Sequence, residues 1–351
     1  MEKITFQLVW FDSLGAKSTA TFVKTPDVSI LIDPGAAAMQ PSFPASPIRK
    51  GWWKFKATRA IKKASRAADV IILTHYHYDH YFPNALDVYH GKTILAKSPN
   101  KYINDSQRER AREFYANLCR RFGEGNLNEQ MMETEAKEYP DPLENLPLAR
   151  EKDFGDYQER REELLEKWRK RFERRVEHWH ELFRITPLDL REGAVKFGDG
   201  KVFQFGDTIV RFTRPLFHGI EYSRLGWVIS PIISYDNEKL IHSSDLNGVY
   251  VEDYAQWLWN EGPDVLLLDG PPKYLLGYLL NTINLQRCVN NTCNILKRTK
   301  NLELMIYDHH LLRAKKYRQR TKRVCETGEE EDIRVTTAAE YKEKTPVIGQ
   351  C

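Results

Sequence analysis

The sequence predicts an α/β protein in which a β-rich body is interrupted by a charged helical insertion. Three observations carry this. Short apolar runs of strand length recur through the first hundred residues and again after Val195. In the later part those runs alternate with stretches of helical period, the pattern of mixed α/β layers. Between Pro99 and about Leu190 the texture changes to dense charge with apolar residues every three or four positions.

Taken in order, residues 6–10 and 18–23 alternate loosely and suit strands. Residues 28–32 form an apolar strand that ends in Asp33-Pro34-Gly35. Residues 40–47 are a proline-rich loop, and Gly51-Trp52-Trp53-Lys54-Phe55-Lys56 continues it with aromatics and bases. Bases of a nucleic acid would stack on such tryptophans, but packing of a loop onto the body is the preferred reading. Residues 70–73 are a short apolar strand. Residues 102–122 and 156–184 read as helices, with Leu165, Trp168, Phe172, Val176, Trp179 and Phe183 on one face. Pro140, Pro142 and Pro147 separate them. The charged faces read as solvated; a lid over a site is the functional alternative. Strands resume at 202–205, 209–212 and 227–230. A helix over 249–260 leads to a strand over 265–268, and a helix over 281–297 precedes a strand ending at Asp308.

The expected division is a body of residues 1–98 and 191–351 carrying an insertion of residues 99–190. The 351 residues are 41% hydrophobic and 29% charged, ordinary for a folded chain though charge-rich. The apolar runs are too short to span a bilayer, and the start Met1-Glu2-Lys3-Ile4-Thr5 has no signal-peptide shape. Cys119, Cys288, Cys293, Cys325 and Cys351 are odd in number and scattered. Free thiols in a reducing cytoplasm are therefore expected. A net charge of +4 does not by itself argue for a nucleic-acid partner, and no membrane partner is expected.

The chemistry is concentrated in His75-Tyr76-His77-Tyr78-Asp79-His80, directly after the strand at 70–73. Imidazole and carboxylate together suit zinc and similar divalent ions. In extended backbone His75 and His77 point to the same side, while Asp79 and His80 follow where the chain must bend and can face a second ion. Two adjacent ions mostly serve hydrolysis.

The spelling His-x-His-x-Asp-His resembles the signature of the metallo-β-lactamase superfamily. Asp33 after its strand resembles that family's first motif, His218 its third, Asp245 its fourth and His309 its fifth. The resemblance runs from about Thr5 to about Leu312, apart from the insertion. Residues 218–226 and 263–272 are similar to a mainly archaeal subgroup of predicted metal-dependent hydrolases, which implies a fold and metal chemistry but no particular substrate.

The resemblance implies a four-layer αββα sandwich with the metals at one end. It implies that His75, His77 and His218 hold one ion, that Asp79, His80 and His309 hold the other, and that Asp245 bridges them. Asp33 would orient the histidine loop without touching metal. Two divalent ions are implied, zinc first, with manganese or iron as alternatives. Relatives that use the fold for di-iron oxygen chemistry often carry a carboxylate at the place of His77, so its identity favours zinc-type hydrolysis. Aligning strand ends selects His309 as ligand, and a one-residue shift would select His310. The other histidine would then protonate a leaving group. Asp79, Asp245 and His310 are the catalytic candidates. Asp269 and His242 also lie at strand ends, with structural hydrogen bonding as the expected role and Asp269 as an outer partner of the site.

The expected function is hydrolysis of an ester, lactone or phosphoester by a hydroxide held between two ions. A nuclease is the alternative, which the resemblance disfavours: the family's nucleases usually carry their substrate-gripping additions between the later ligands, and here the long insertion precedes His218. A non-catalytic scaffold is weaker still, because the ligand set is complete.

Overall fold

Side chains along a strand alternate between its two faces, and in this chain both faces are buried. In the computed structural model, which describes residues 1–123, 125–133, 138–277 and 280–350, Ile30, Ile32, Val70 and Ile72 point into one apolar cluster. Their neighbours Leu31, Ile71 and Leu73 point into another. Near-continuous apolar strands are what a sheet covered on both sides requires.

Two seven-stranded sheets result. The first runs Thr5–Phe11, Thr19–Lys24, Ser29–Ile32, Val70–Leu73, Thr93–Ala96, Gly193–Phe197, Leu188–Leu190. The second runs Val202–Phe205, Thr208–Phe212, Pro231–Tyr235, Glu238–His242, Val265–Asp269, Leu304–Asp308, Arg334–Thr336. The inner cluster joins Leu8, Val23 and Leu95 of the first sheet to Val210, Leu240, Leu267 and Ile306 of the second, so the sheets lie face to face. Outside them pack the helices Pro47–Ser65, Glu252–Glu261 and Thr282–Arg298. This is the expected αββα sandwich, and the helical insertion is present as Asp105–Phe122, Pro147–Glu151 and Gln158–Glu181.

The direction of pairing places the site. Ser29–Ile32, Val70–Leu73 and Thr93–Ala96 pair in parallel, as do Glu238–His242, Val265–Asp269 and Leu304–Asp308. Parallel strands end on the same edge of their sheet, and the residues after those ends are Asp33, Thr74-His75, Ser243-Ser244-Asp245 and His309.

Three local expectations are corrected. Trp52 and Trp53 lie within the helix Pro47–Ser65, not on a loop. Pro47 starts it, Ser46 caps it by accepting from the Arg49 N–H at 3.3 Å, and Lys50, Trp53, Ala57, Ile61 and Ser65 form its buried face. The strand expected at 227–230 is a two-residue pairing of Trp227–Val228 with Leu216–Phe217, and the sheet strand begins only at Pro231. The strand Leu188–Leu190 joins the first sheet although it falls inside the 99–190 segment. Beyond the region read from the sequence, Tyr317–Glu330 is a helix and Arg334–Thr336 an edge strand. Cys119, Cys288, Cys293 and Cys325 are free thiols, and Cys351 lies outside the described residues. Among the described residues no helix is long and apolar enough to cross a membrane.

Candidate metal centre

Asp33, at the exit of its strand with φ of +47°, is fully buried. Its Oδ1 accepts the Thr74 N–H at 2.9 Å, and its Oδ2 accepts from Thr74 Oγ1 at 2.7 Å and from His80 Nδ1 at 2.9 Å. One carboxylate thus fixes both the start of the histidine loop and the tautomer of its last ring, leaving His80 Nε2 free for a ligand. Gly35 lets this happen at close range: a Cβ there would sit 2.1 Å from the Tyr81 nitrogen.

The loop meets the second sheet at Asp245. Its Oδ2 lies 3.6 Å from His75 Nε2, 4.0 Å from His77 Nδ1, 3.5 Å from His80 Nε2, 3.1 Å from His218 Nε2 and 3.8 Å from His309 Nε2. His309 Nε2 also lies 3.9 Å from Asp79 Oδ2. Ligand atoms that share a zinc ion, each about 2.0–2.1 Å from it, are roughly 3.3 Å apart in a tetrahedron. The spacing fits that geometry. The buried nitrogens His75 Nε2, His80 Nε2 and both of His218 make no hydrogen bond with the described residues, a costly state unless a ligand satisfies them. His75, His77, His218 and Asp245 could therefore hold one ion, and Asp79, His80 and His309 a second.

Of the two adjacent histidines, which together with Asp245 and Asp269 form a group that could hold an ion, His309 is the one that faces Asp79. Its Nδ1 donates to Asp12 Oδ1 at 2.8 Å and its Nε2 faces Asp79 and Asp245. His310 also faces Asp245, with Nδ1 3.0 Å from its Oδ1 and 3.1 Å from Asp269 Oδ1. Asp269 also accepts the Asn247 N–H at 2.6 Å, bracing the loop after Asp245. His242 is held structurally, by the Thr19 carbonyl at 3.2 Å and the Ser244 N–H at 3.0 Å.

Two residues of the site were missed in the sequence. Asp12 is fully buried and accepts from both His309 and Arg313. Arg313, also buried, places Nη2 3.3 Å from Asp79 Oδ2 and 3.3 Å from His309 Nε2. Asp12 carries the same signal as Asp33, a carboxylate directly after an apolar strand. Arg313 has only its spacing of four from His309.

Electrostatics divide the imidazoles. Burial lowers His75 well below its ordinary value and His77 to about 4, so both are neutral near pH 7 and ready to donate to metal. Burial alone would lower His80 too, but Asp33 and Asp245 outweigh it and raise it to about 10. Asp12 likewise overrides burial and raises His309 well above its ordinary value. In the metal-free protein these two rings keep their protons from below 6.5 until the pH rises through their raised values. A ligand imidazole must be neutral, so metal uptake must expel those protons. Calorimetric titration with Zn²⁺ should show proton release at neutral pH and an apparent affinity that climbs from about pH 6 to 9. An affinity independent of pH would contradict this assignment.

Beside His218 lies a cavity of about 440 Å³. Ile220, Tyr250 and Leu280 line it from the body, and Trp168 and Arg171 from the insertion helix Gln158–Glu181. That helix is anchored by a buried ion cluster. Glu221 Oε1 accepts from Arg161 Nη2 at 2.9 Å and Arg287 Nη2 at 2.7 Å, and Arg287 also reaches Glu252.

Residues 15–113 match the family model described as the metallo-β-lactamase superfamily. A UPF0282 protein of Methanopyrus kandleri is 31% identical over 343 residues, 94% of this chain and 91% of its own length. A UPF0282 protein of Korarchaeum cryptofilum is 31% identical over 335 residues, 95% and 87% of the two chains. Among solved structures, the metallo-β-lactamase fold protein YhfI from Bacillus subtilis is similar over 88% of this chain and 86% of that one, with 10% identity and a TM-score of 0.41.

Proposed function

The chain belongs to the UPF0282 family, within the metallo-β-lactamase superfamily, and we propose that it is a metal-dependent hydrolase of a small ester, lactone or phosphoester. The observation that carries this is the convergence of five imidazoles on one buried carboxylate oxygen, Asp245 Oδ2, at adjoining strand ends.

In this reading His75, His77 and His218 hold one divalent ion, Asp79, His80 and His309 the other, and Asp245 stands between them. Zinc is the first choice, because imidazole and carboxylate suit it. Bound ions supply a water acidified toward neutrality and polarise the bond under attack. The chain's own residues do the rest. Asp33 and Asp12 orient His80 and His309 through their Nδ1 atoms. His310, held through Nδ1 by Asp269, delivers a proton to the leaving group from its other nitrogen. Arg313 stands over Asp79 and His309 and counters developing negative charge.

The cavity beside His218 receives the organic part of the substrate. Its volume falls in the range of small-molecule sites, roughly 300–1,000 Å³. Trp168 and Arg171 give the insertion its part, as a wall of that cavity. Purified protein should carry close to two metal ions per chain and should hydrolyse either bis-p-nitrophenyl phosphate or a simple lactone. Folded protein with well under two ions would remove the dinuclear reading, and inertness of the metal-loaded protein toward esters, lactones and phosphoesters would remove the hydrolase.

A further inference from the structure

The helix Pro47–Ser65 presents cations and exposed apolar side chains together on one face. Residues 47–66 contain eight Lys and Arg and no Asp or Glu, while the whole chain carries only +4. The segment's +8 therefore leaves the remaining residues at −4. Arg49, Lys54, Lys56, Arg59, Lys63 and Arg66 are exposed. Among the described residues none of the eight forms an ion pair. Lys50 is turned inward, its Nζ donating to the carbonyls of Gln40 and Pro41 at 2.9 Å each.

The outward ridge of this helix follows a spacing of three and four. Its first half is apolar: Ile48 is 86% exposed, Trp52 56% and Phe55 55%. Its second half is cationic, with Arg59, Lys62 and Arg66 continuing the ridge and Lys63 beside it. Trp52 stacks on Phe55 at 5.5 Å, with Lys56 5.7 Å from the Trp52 ring. The opposite face, through Trp53, Ala57 and Ile61, is packed onto the body, so the ridge is held rigidly outward.

From this surface we infer a docking face for an anionic lipid bilayer. An apolar ridge next to clustered cations is what the boundary between acyl chains and phosphate headgroups accepts. Two alternatives fit less well. Single-stranded nucleic acid would use the cations, but Ile48, the most exposed apolar residue of the ridge, offers no ring for a base, and one ring face of Trp52 is taken by Phe55. A second copy of the chain would bring two faces of +8 together. The expectation that no membrane is involved rested on the lack of a spanning segment, and attachment to a surface needs none.

The test is flotation of the full chain with phosphatidylcholine vesicles, with and without phosphatidylglycerol, at low and high salt. Binding only to the anionic vesicles, weakened by salt, is expected. Replacing Arg59→Gln, Lys62→Gln and Lys63→Gln together should weaken it about a hundredfold, at roughly fivefold per cation. Trp52→Asp with Phe55→Asp should abolish insertion, and both variants should keep the wild-type melting temperature and metal content. Failure to float with anionic vesicles overturns the inference. So does flotation of the two variants equal to that of the wild type, or binding of a uridine oligonucleotide through the same residues without vesicle binding.

Discussion

Asp245→Ala is expected to lose metal and turnover together, with kcat falling on the order of a thousandfold or more. Among the described residues, Asp245 is the one carboxylate within 4.0 Å of ring nitrogens from both expected sets, His75, His77 and His218 on one side and His80 and His309 on the other. Burial alone would raise its pKa, yet His218 and His310 hold it well below the usual carboxylate range, so it is charged at every working pH. Its removal leaves several imidazoles facing one another with no anion to share. Asp33→Asn, by contrast, removes a hydrogen-bond partner of His80 and Thr74 and leaves the expected ligands in place. It weakens an oriented His80, and effects of outer partners run about 10–100-fold in metal affinity. The ordering is the informative part, and metal analysis beside kinetics reads it. An Asp245→Ala protein that kept its metals and its rate would remove Asp245 from the centre.

Much of this site was legible because its information is local. His75, His77, Asp79 and His80 fall within six residues, and the other candidate ligands each come soon after an apolar run of strand length. Parallel pairing then does what no residue signals by itself: it sets the run ends before His75, Asp245 and His309 at the same edge of their sheets, while His218 follows a short antiparallel pairing. What could not be read is what depends on distant pairing. Asp12 and Arg313 are 301 positions apart, and each is an ordinary charged residue until the other is beside it. The helix over Trp52 and Trp53 was hidden by its prolines, which read as a loop although Pro47 occupies the one helical position that suits it. The different partners of His309 and His310 turn on a single residue in the left-handed region, His309 at φ +61°, with the first ring on Asp12 and the second on Asp269.

The same distance dependence makes Glu221 the second site of large effect. Its carboxylate is buried between Arg161 of the insertion and Arg287 of the body, three residues beyond His218. Burial alone would raise its pKa, but the two guanidinium groups outweigh this and lower it. Its contribution to stability is therefore complete above the ordinary glutamate range and fades as the pH falls through the lowered value. Glu221→Ala leaves two buried arginines short of their partner, and breaking a buried pair in this way costs about 3–5 kcal/mol. Denaturant unfolding should report that loss. The damage should also reach the cavity wall, because Arg161 fastens the helix that carries Trp168 and Arg171. KM for the substrate should rise more than kcat falls, since the candidate ligands themselves are untouched. Arg161→Met added to Glu221→Ala should cost little more than Glu221→Ala alone, as expected for residues in one network. Full additivity of the two would mean that Arg161 is held by something other than Glu221, and that the insertion is fastened elsewhere.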